Sequence, residues 1–314
     1  MTRRSSLCLN LIVRNEAAII DRLVNSVSPY ISSYVVCDTG STDDTVSRIR
    51  NAFGVRGIPG QVHCIPFVDF GQARNEALWL GRACDAVFDY FLLADADMEL
   101  IVEDPKFPAS LEAPAYMLRQ CGAMCSYYNI RLLRRDVLAA YVGETHEYLR
   151  VECEVRKLQG AGFIDHACGA NRTNKAARDL ALLRQALTKN PSDARAMFYL
   201  AQTYSDLGRY QEAALWYEAR LAAGGFPEER WYARYQLALC TGRLGDNEGF
   251  VNGCLDAFQE RPWRVEPLRS LARYYRQIGQ DGLATQYSDQ AKRIPYPLDD
   301  ILFVEEIMDQ ENVI

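Results

Sequence analysis

Residues 88–97 read Phe-Asp-Tyr-Phe-Leu-Leu-Ala-Asp-Ala-Asp, a short apolar run that ends in two aspartates. Such a run, bounded by turn residues, is typical of a buried strand. Alternate residues of an extended segment face the same side, so Asp95 and Asp97 should emerge together at the end of the strand. Two carboxylates on one side suit a hard divalent cation, Mg²⁺ or Mn²⁺, and the alternative is a solvated acidic turn.

The sequence before this run alternates between strands and helices. Apolar runs predict three earlier strands, at residues 7–13, 34–37 and 62–67. Apolar residues at helical spacing predict three helices, at residues 16–27, 42–53 and 72–84. This alternation predicts an α/β fold with a mixed, mostly parallel sheet. Three polar loops should then meet at the carboxyl edge of the strands, where such sheets bind ligands: residues 14–16, 38–43 and 95–97.

The helical rhythm stops after this region and returns near residue 176 without strands. Short strand-like pieces predict a partly antiparallel extension of the sheet, at residues 115–119, 127–133, 148–155 and 162–166. We therefore predict two domains, residues 1–175 and residues 176–314.

The second domain contains an internal repeat. Ala201, Ala238 and Ala272 are 37 and 34 residues apart and lie in similar contexts. Small residues at these positions allow two helices to approach closely, so the spacing resembles about three tetratricopeptide repeats. Repeat grooves hold extended polymers. We predict such an acceptor groove from positions that carry Tyr232, Tyr235, Arg269, Arg273 and Arg276, with solvated surface arginines as the alternative.

Composition limits the classes of partner. The formal net charge is −6, which does not favour non-specific binding to nucleic acid or to anionic membranes. The ten cysteines contain no C-x-x-C pair, and we expect them to be reduced thiols of a cytoplasmic protein. No apolar stretch approaches the ~20 residues of a membrane helix, and we expect no membrane partner and no signal peptide.

Several motifs in order along the chain resemble glycosyltransferase family 2, whose members have the A-type fold (GT-A). The motifs are residues 11–16, 38–45, 73–77 and 95–97. Further segments are similar to family members with C-terminal tetratricopeptide repeats: residues 143–148, 165–166, 198–202, 266–268 and 297–303.

The resemblance implies a metal-dependent, inverting enzyme that takes a sugar from a nucleoside-diphosphate sugar, with a UDP-sugar as the first candidate. It assigns Mn²⁺ or Mg²⁺ to Asp95, Asp97 and His166. It makes Glu147 the general base, with His146 beside it. Donor binding is assigned to Arg14, Asn15, Glu16, Asp38, Gly40, Arg74 and Asp95.

Some of these assignments have alternatives. His146 and His166 could instead be structural, as we expect for His63 in its apolar strand. Thr39 stands where many family members have an acidic residue that contacts uracil, so recognition of the base would rest on Asp38 or on another group. A peptide or protein is the expected acceptor. Two alternatives stay open: nucleic acid as acceptor, for example a hydroxylated base in DNA, and an inactive repeat adaptor.

Overall fold

The computed structural model describes residues 5–109, 111–123, 125–169 and 175–305. The chain forms two compact units, Met1–Lys175 and Ala176–Ile314. The first unit contains the helices α1 (Ile20–Val27), α2 (Thr45–Gly54) and α3 (Phe70–Ala83). Its strands are β1 (Leu7–Val13), β2 (Ile31–Asp38), β3 (Gly60–Cys64), β4 (Tyr90–Leu93), β5 (Met98–Val102), β6 (Ala115–Cys121), β7 (Cys125–Arg134), β8 (Ala139–Val142), β9 (Tyr148–Val151) and β10 (Val155–Asp165).

The main sheet of this unit is mixed, with the strand order β3-β2-β1-β4-β7-β6-β10-β5. The first four strands in this order are parallel to one another. β7 runs antiparallel to β4 and β6, β10 is parallel to β6, and β5 is antiparallel to β10. β8 and β9 form a separate antiparallel pair. Because β1, β2 and β4 are parallel, the loops that follow them meet at one edge of the sheet.

Apolar burial explains the central strand and the helix that follows it. β1 is buried along nearly its whole length. Its one buried polar side chain, Asn10, donates from Nδ2 to the carbonyl oxygen of Ala77 at 2.8 Å, so burial leaves this amide satisfied. α1 buries one face, made of Ile20, Leu23, Val24 and Val27. Helical spacing thus places four apolar side chains against the sheet.

Local hydrogen bonds move two predicted helix starts. α1 begins four residues later than predicted, because the Glu16 carbonyl oxygen first accepts from the Ile19 and Ile20 amides in a turn. α2 begins at Thr45, where the Asp43 side chain accepts from the Thr45 amide at 3.0 Å. The polar residues before it therefore belong to the loop. β5 and β8 were not predicted.

The second unit is helical. Its helices are α4 (Lys175–Lys189), α5 (Ala194–Asp206), α6 (Tyr210–Ala223), α7 (Pro227–Arg243), α8 (Asn247–Glu260), α9 (Glu266–Gln277) and α10 (Asp281–Lys292), and the short strand β11 covers Val304–Glu305. None of the helices in the described ranges combines the length and apolar character needed to cross a membrane.

The predicted helical repeats are confirmed. The pairs α5/α6, α7/α8 and α9/α10 bury Ala201, Ala238 and Ala272, each at most 5% exposed. Each first helix ends just before a glycine of positive φ (Gly208, Gly245 and Gly279), which permits the tight turn into the second helix.

Candidate active site

Two loops interlock at the carboxyl edge of β1 and β2. The Asn15 amide donates to Ser41 Oγ at 2.9 Å, and Asn15 Oδ1 accepts from the Thr42 amide at 2.7 Å. The Glu16 amide donates to Thr45 Oγ1 at 2.7 Å. Asn15 has a φ of 56°, a conformation that asparagine tolerates better than most residues. The predicted donor-binding residues Asn15 and Glu16 are thus held by the opposite loop, while Arg14 is exposed.

Asp38 shapes its own loop. Its carboxylate accepts from the Gly40 amide at 3.2 Å and from the Ser41 amide at 3.0 Å. Gly40 has a φ of 102°, which only glycine adopts easily, and it permits this turn. We assigned no hydrogen-bond partner to Asp38 from the sequence, and in the structure its partners are amides of its own loop. Contact between Asp38 and a donor stays a prediction.

Arg74 links two of the predicted functional carboxylates. Its Nε donates to Glu147 Oε1 and its Nη2 donates to Asp95 Oδ1. The arginine side chain is only 15% exposed, so the two ion pairs lie in a largely dehydrated environment. Residues that are 21 and 73 positions from Arg74 in sequence therefore meet at one guanidinium group.

Glycine packing brings Glu147 to this position. Asp69 caps α3 by accepting from the Gln72 amide at 2.8 Å, which places Arg74 near the start of the helix. A Cβ atom on Gly71 would lie 2.3 Å from the Gly143 carbonyl oxygen. The absence of a side chain at Gly71 therefore allows the segment that carries Glu147 to pack against α3.

A second arginine holds the other side of Asp95. Arg131, in β7, donates from Nη2 to Asp95 Oδ2 at 3.1 Å and to Gln120 Oε1 at 2.7 Å. Gln120 Nε2 in turn donates to Asp165 Oδ2 at 3.1 Å. Burial raises the pKa of Asp95, but the charges of Arg74 and Arg131 outweigh it and lower this pKa to about 2. Asp95 is therefore a carboxylate at any physiological pH.

Asp97 has the opposite environment. Burial and the negative charges of Asp95 and Asp165 raise the pKa of its carboxyl group. Its Oδ2 accepts from the Gly169 amide at 3.3 Å. Within the part of the chain that the structure describes, no arginine or lysine forms an ion pair with Asp97. A second carboxylate lies nearby, because a Cβ atom on Gly169 would be 3.4 Å from Asp97 Oδ2 and 3.3 Å from Glu16 Oε1.

The structure does not bring the predicted histidine ligand to the aspartates. The His166 amide donates to the Asp97 carbonyl oxygen at 3.2 Å, but its imidazole Nε2 lies 2.8 Å from Glu99 Oε2. Across the described residues there is no cluster of three or more His, Cys, Asp or Glu side chains placed to hold a metal ion. His146 precedes Glu147 with a φ of 50° and is half-buried.

The residues around Asp97 fit a divalent cation that takes few ligands from the protein. Mg²⁺ commonly takes one or two protein carboxylates and completes its shell with phosphate oxygens and water. Asp97 offers a carboxylate in a locally negative environment, which a cation would neutralise. Each oxygen of Asp95 accepts a hydrogen bond from an arginine, and a carboxylate oxygen in that position keeps a second lone pair for a cation.

The residues predicted to line an acceptor groove differ in exposure. Tyr235 is 3% exposed and its hydroxyl lies 2.8 Å from Ser270 Oγ, so the prediction that it lines a groove is wrong: the ring packs in the repeat core. Tyr232 is half-buried. Arg269 Nη1 lies 3.8 Å from Glu305 Oε2. Arg273 and Arg276 are exposed.

Comparison with known proteins finds similarity over different parts of the chain. A tetratricopeptide repeat model matches residues 182–214. A TPR repeat-containing protein of Synechococcus elongatus is 29% identical over 311 residues, which cover 91% of this chain and 74% of that protein. Glucosyl-3-phosphoglycerate synthase of Mycobacterium tuberculosis is 32% identical over 127 residues, which cover 39% of this chain and 38% of the synthase.

Among solved structures, MamA from Desulfovibrio magneticus is 16% identical and has a TM-score of 0.35, covering 39% of this chain and 67% of that chain. This TM-score is too low to establish a common fold. The comparisons therefore support a tetratricopeptide repeat region and a partial similarity to a glucosyl-3-phosphoglycerate synthase.

Three residues of the site were missed from the sequence: Arg131, Gln120 and Asn75. Arg131 and Gln120 lie inside strands, where a polar residue is ordinarily assigned to the solvent face. Asn75 exchanges two hydrogen bonds with the Tyr141 backbone, at 2.9 and 2.7 Å, and so fixes β8 beside α3. Only its place directly after Arg74 could have indicated this role.

Proposed function

We propose that the first unit is the GT-A-like catalytic domain of a glycosyltransferase that uses a nucleoside-diphosphate sugar, and that the acceptor is a peptide or protein. The observation that carries the proposal is the Arg74 bridge. It joins a candidate base, Glu147, to a candidate metal-site carboxylate, Asp95, at the ligand-binding edge of a parallel sheet segment. The partial similarity to a glucosyl-3-phosphoglycerate synthase supports sugar transfer as the chemistry.

The donor's diphosphate would lie between Arg74 and the aspartates. Arginine binds phosphate oxygens with the same paired donors that it uses for carboxylates. Asp97, with Asp95, would hold Mg²⁺ or Mn²⁺. When bound, such an ion would stabilise the charge that develops on the departing nucleoside diphosphate.

The same arginine would control the base. In the structure Arg74 donates to Glu147 Oε1, so the guanidinium group occupies the side of the carboxylate that it contacts. Transfer of the Arg74 donors to the diphosphate would release Glu147 to deprotonate the acceptor. A base on the acceptor side gives a single displacement, so the anomeric configuration should invert.

Substitution of the base tests this proposal. Glu147→Gln should lower the release of nucleoside diphosphate from a nucleotide sugar by about 10²–10⁴-fold, the usual contribution of a general base. Donor binding, followed by calorimetry, should persist. Glu154→Gln is the matched control, because Glu154 is an exposed partner of Arg156. Full activity in Glu147→Gln would remove Glu147 from the mechanism.

A repeat adaptor without catalytic activity is the second candidate. It is favoured by the relative that matches 91% of this chain and is named for its repeats, and by the occupation of both Asp95 oxygens by arginines. Failure of every nucleotide sugar to bind or to be hydrolysed would favour this candidate.

A further inference from the structure

A segment near the end of the described chain lies against α5, α7 and the turn between α8 and α9. The ring of Phe303 stacks on Tyr232 of α7, with centroids 4.6 Å apart and planes 17° apart. It also contacts Phe198 of α5, at 5.7 Å between centroids. We name residues 300–303 the C-terminal segment.

Two charged side chains of the repeats hold the backbone of this segment. Glu228 Oε2 accepts from the Ile301 amide at 2.8 Å and from the Leu302 amide at 2.7 Å. Arg264 donates to the Leu302 carbonyl oxygen at 3.3 Å and to the Phe303 carbonyl oxygen at 2.8 Å. Contacts of this kind hold the main chain of a segment whatever its side chains are.

A carboxylate at the start of the segment adds specificity. Asp300 is 5% exposed. One of its oxygens accepts from Arg261 at 2.9 Å and from Trp263 at 3.2 Å, and the other accepts from Arg264 at 3.0 Å. The surface therefore contacts an aspartate and, three residues later, an aromatic residue.

The charged side chains that hold the segment are buried, and one of them also packs within the repeats, because the Arg264 guanidinium group lies 4.1 Å from the centroid of the Trp231 ring. Arg264 has no exposed side-chain area and Glu228 is 9% exposed. Buried charges are unfavourable unless they are paired and hydrogen-bonded. Arg264 also pairs with Glu266, but the side-chain hydrogen bonds found for Glu228 are those to the segment. Of the two side chains, Glu228 is therefore the one whose hydrogen bonds are made to the main chain of the segment.

The segment itself bears backbone strain. Phe303 has a φ of 51°, a conformation that an aromatic residue rarely adopts. The ring contacts and the Arg264 hydrogen bond hold it there. Release of the segment would relieve this strain, which lowers the free-energy cost of opening the surface.

We propose that the surface formed by α5, α7 and the turn between α8 and α9 is a peptide-binding site that the C-terminal segment occupies in cis, and that an acceptor polypeptide with an aspartate three residues before an aromatic residue displaces it. Its role as acceptor rests on the proposed sugar transfer, whereas the binding does not.

Hydrogen exchange on the wild-type full chain tests displacement. The probe is a tagged synthetic peptide with the sequence of residues 297–305, and the control peptide carries Asn and Ala at the positions of Asp300 and Phe303. Excess probe should accelerate exchange of the Ile301 and Leu302 amides by at least about tenfold, because they lose Glu228 as acceptor. The control peptide should not. Equal exchange with and without probe would show that the segment is a fixed part of the fold.

A variant that weakens the cis contact tests affinity. Phe303→Ala should bind the probe at least about tenfold more tightly than wild type in fluorescence anisotropy, since the apparent affinity rises with the fraction of open sites. Leu298→Ala, at a side chain that is 69% exposed, is the control. Absence of probe binding to both wild type and a folded Phe303→Ala variant would overturn the proposal. No donor is used, so a failure of sugar transfer leaves this result unaffected.

Discussion

Gly71→Ala should displace the candidate base without touching the donor site. The added Cβ would lie 2.3 Å from the Gly143 carbonyl oxygen, whereas a carbon atom in ordinary contact needs well over 3 Å. The segment 143–147 must therefore move away from α3 by about 1 Å. Glu147 lies in this segment, so its carboxylate should move away from the acceptor side of the site.

The structure sets the size of the effect. A misplacement of about 1 Å can lower a catalytic rate by about a hundredfold. Overpacking of this kind destabilises a fold by about 1–3 kcal/mol. The higher helix propensity of alanine offsets up to about 1 kcal/mol of that loss. The variant should therefore fold but turn over slowly.

The assay is the metal-dependent release of nucleoside diphosphate from a nucleotide sugar, with calorimetric binding of UDP and Mn²⁺ as a check of the donor site. Turnover should fall about a hundredfold while UDP affinity changes little. Gly282→Ala in α10 is the control, because a Cβ atom there meets nothing within 4 Å. Full turnover in a folded Gly71→Ala variant would refute the placement of Glu147 in the reaction.

Three further predictions concern stereochemistry, the repeats and pH. A product analysed by NMR should show an inverted anomeric configuration, and retention would exclude Glu147 as the base. The double variant Arg273→Ala/Arg276→Ala should have a higher KM for the acceptor and an unchanged rate of donor hydrolysis. Equal losses of sugar transfer and donor hydrolysis would instead indicate a structural role for the repeats. Burial raises the pKa of Glu228 by more than the hydrogen bonds from the Ile301 and Leu302 amides lower it. The stabilisation that protonated Glu228 contributes is therefore present at low pH and is lost as the pH rises through this pKa. Wild type should therefore lose more thermal stability than Glu228→Gln between about pH 4.5 and pH 7. An equal change of melting temperature with pH in the two proteins would contradict this prediction.

Local sequence patterns predicted most of the regular elements. β1 matches its predicted range because seven consecutive residues favour a buried strand and a polar loop follows. The helical repeats could be predicted because small residues and glycines recur together along the chain at similar intervals. β5 was missed because it follows the Asp-Ala-Asp turn directly, where the sequence gives no separate strand boundary.

Long-range contacts account for what the sequence did not reveal. The partners of Arg74 depend on how α3 packs against a distant loop, which no local pattern encodes. The imidazole of His166 lies beside Glu99 because β5 and β10 are antiparallel neighbours. Tyr232 and Tyr235 lie in the same helix, α7. Tyr235 lies in the core because α9 packs against it, and its hydroxyl contacts Ser270 of that helix.

The most direct test of the central claim is a screen of nucleotide sugars against wild type and Asp97→Asn, each with Mn²⁺ and with excess EDTA. The measurement is the release of nucleoside diphosphate, together with the thermal stabilisation that each donor produces. We predict that at least one donor is hydrolysed and stabilises the wild-type protein only when metal is present, and that Asp97→Asn loses turnover while it keeps its fold. Release that continues in EDTA or in Asp97→Asn, or no response to any donor, would contradict the account.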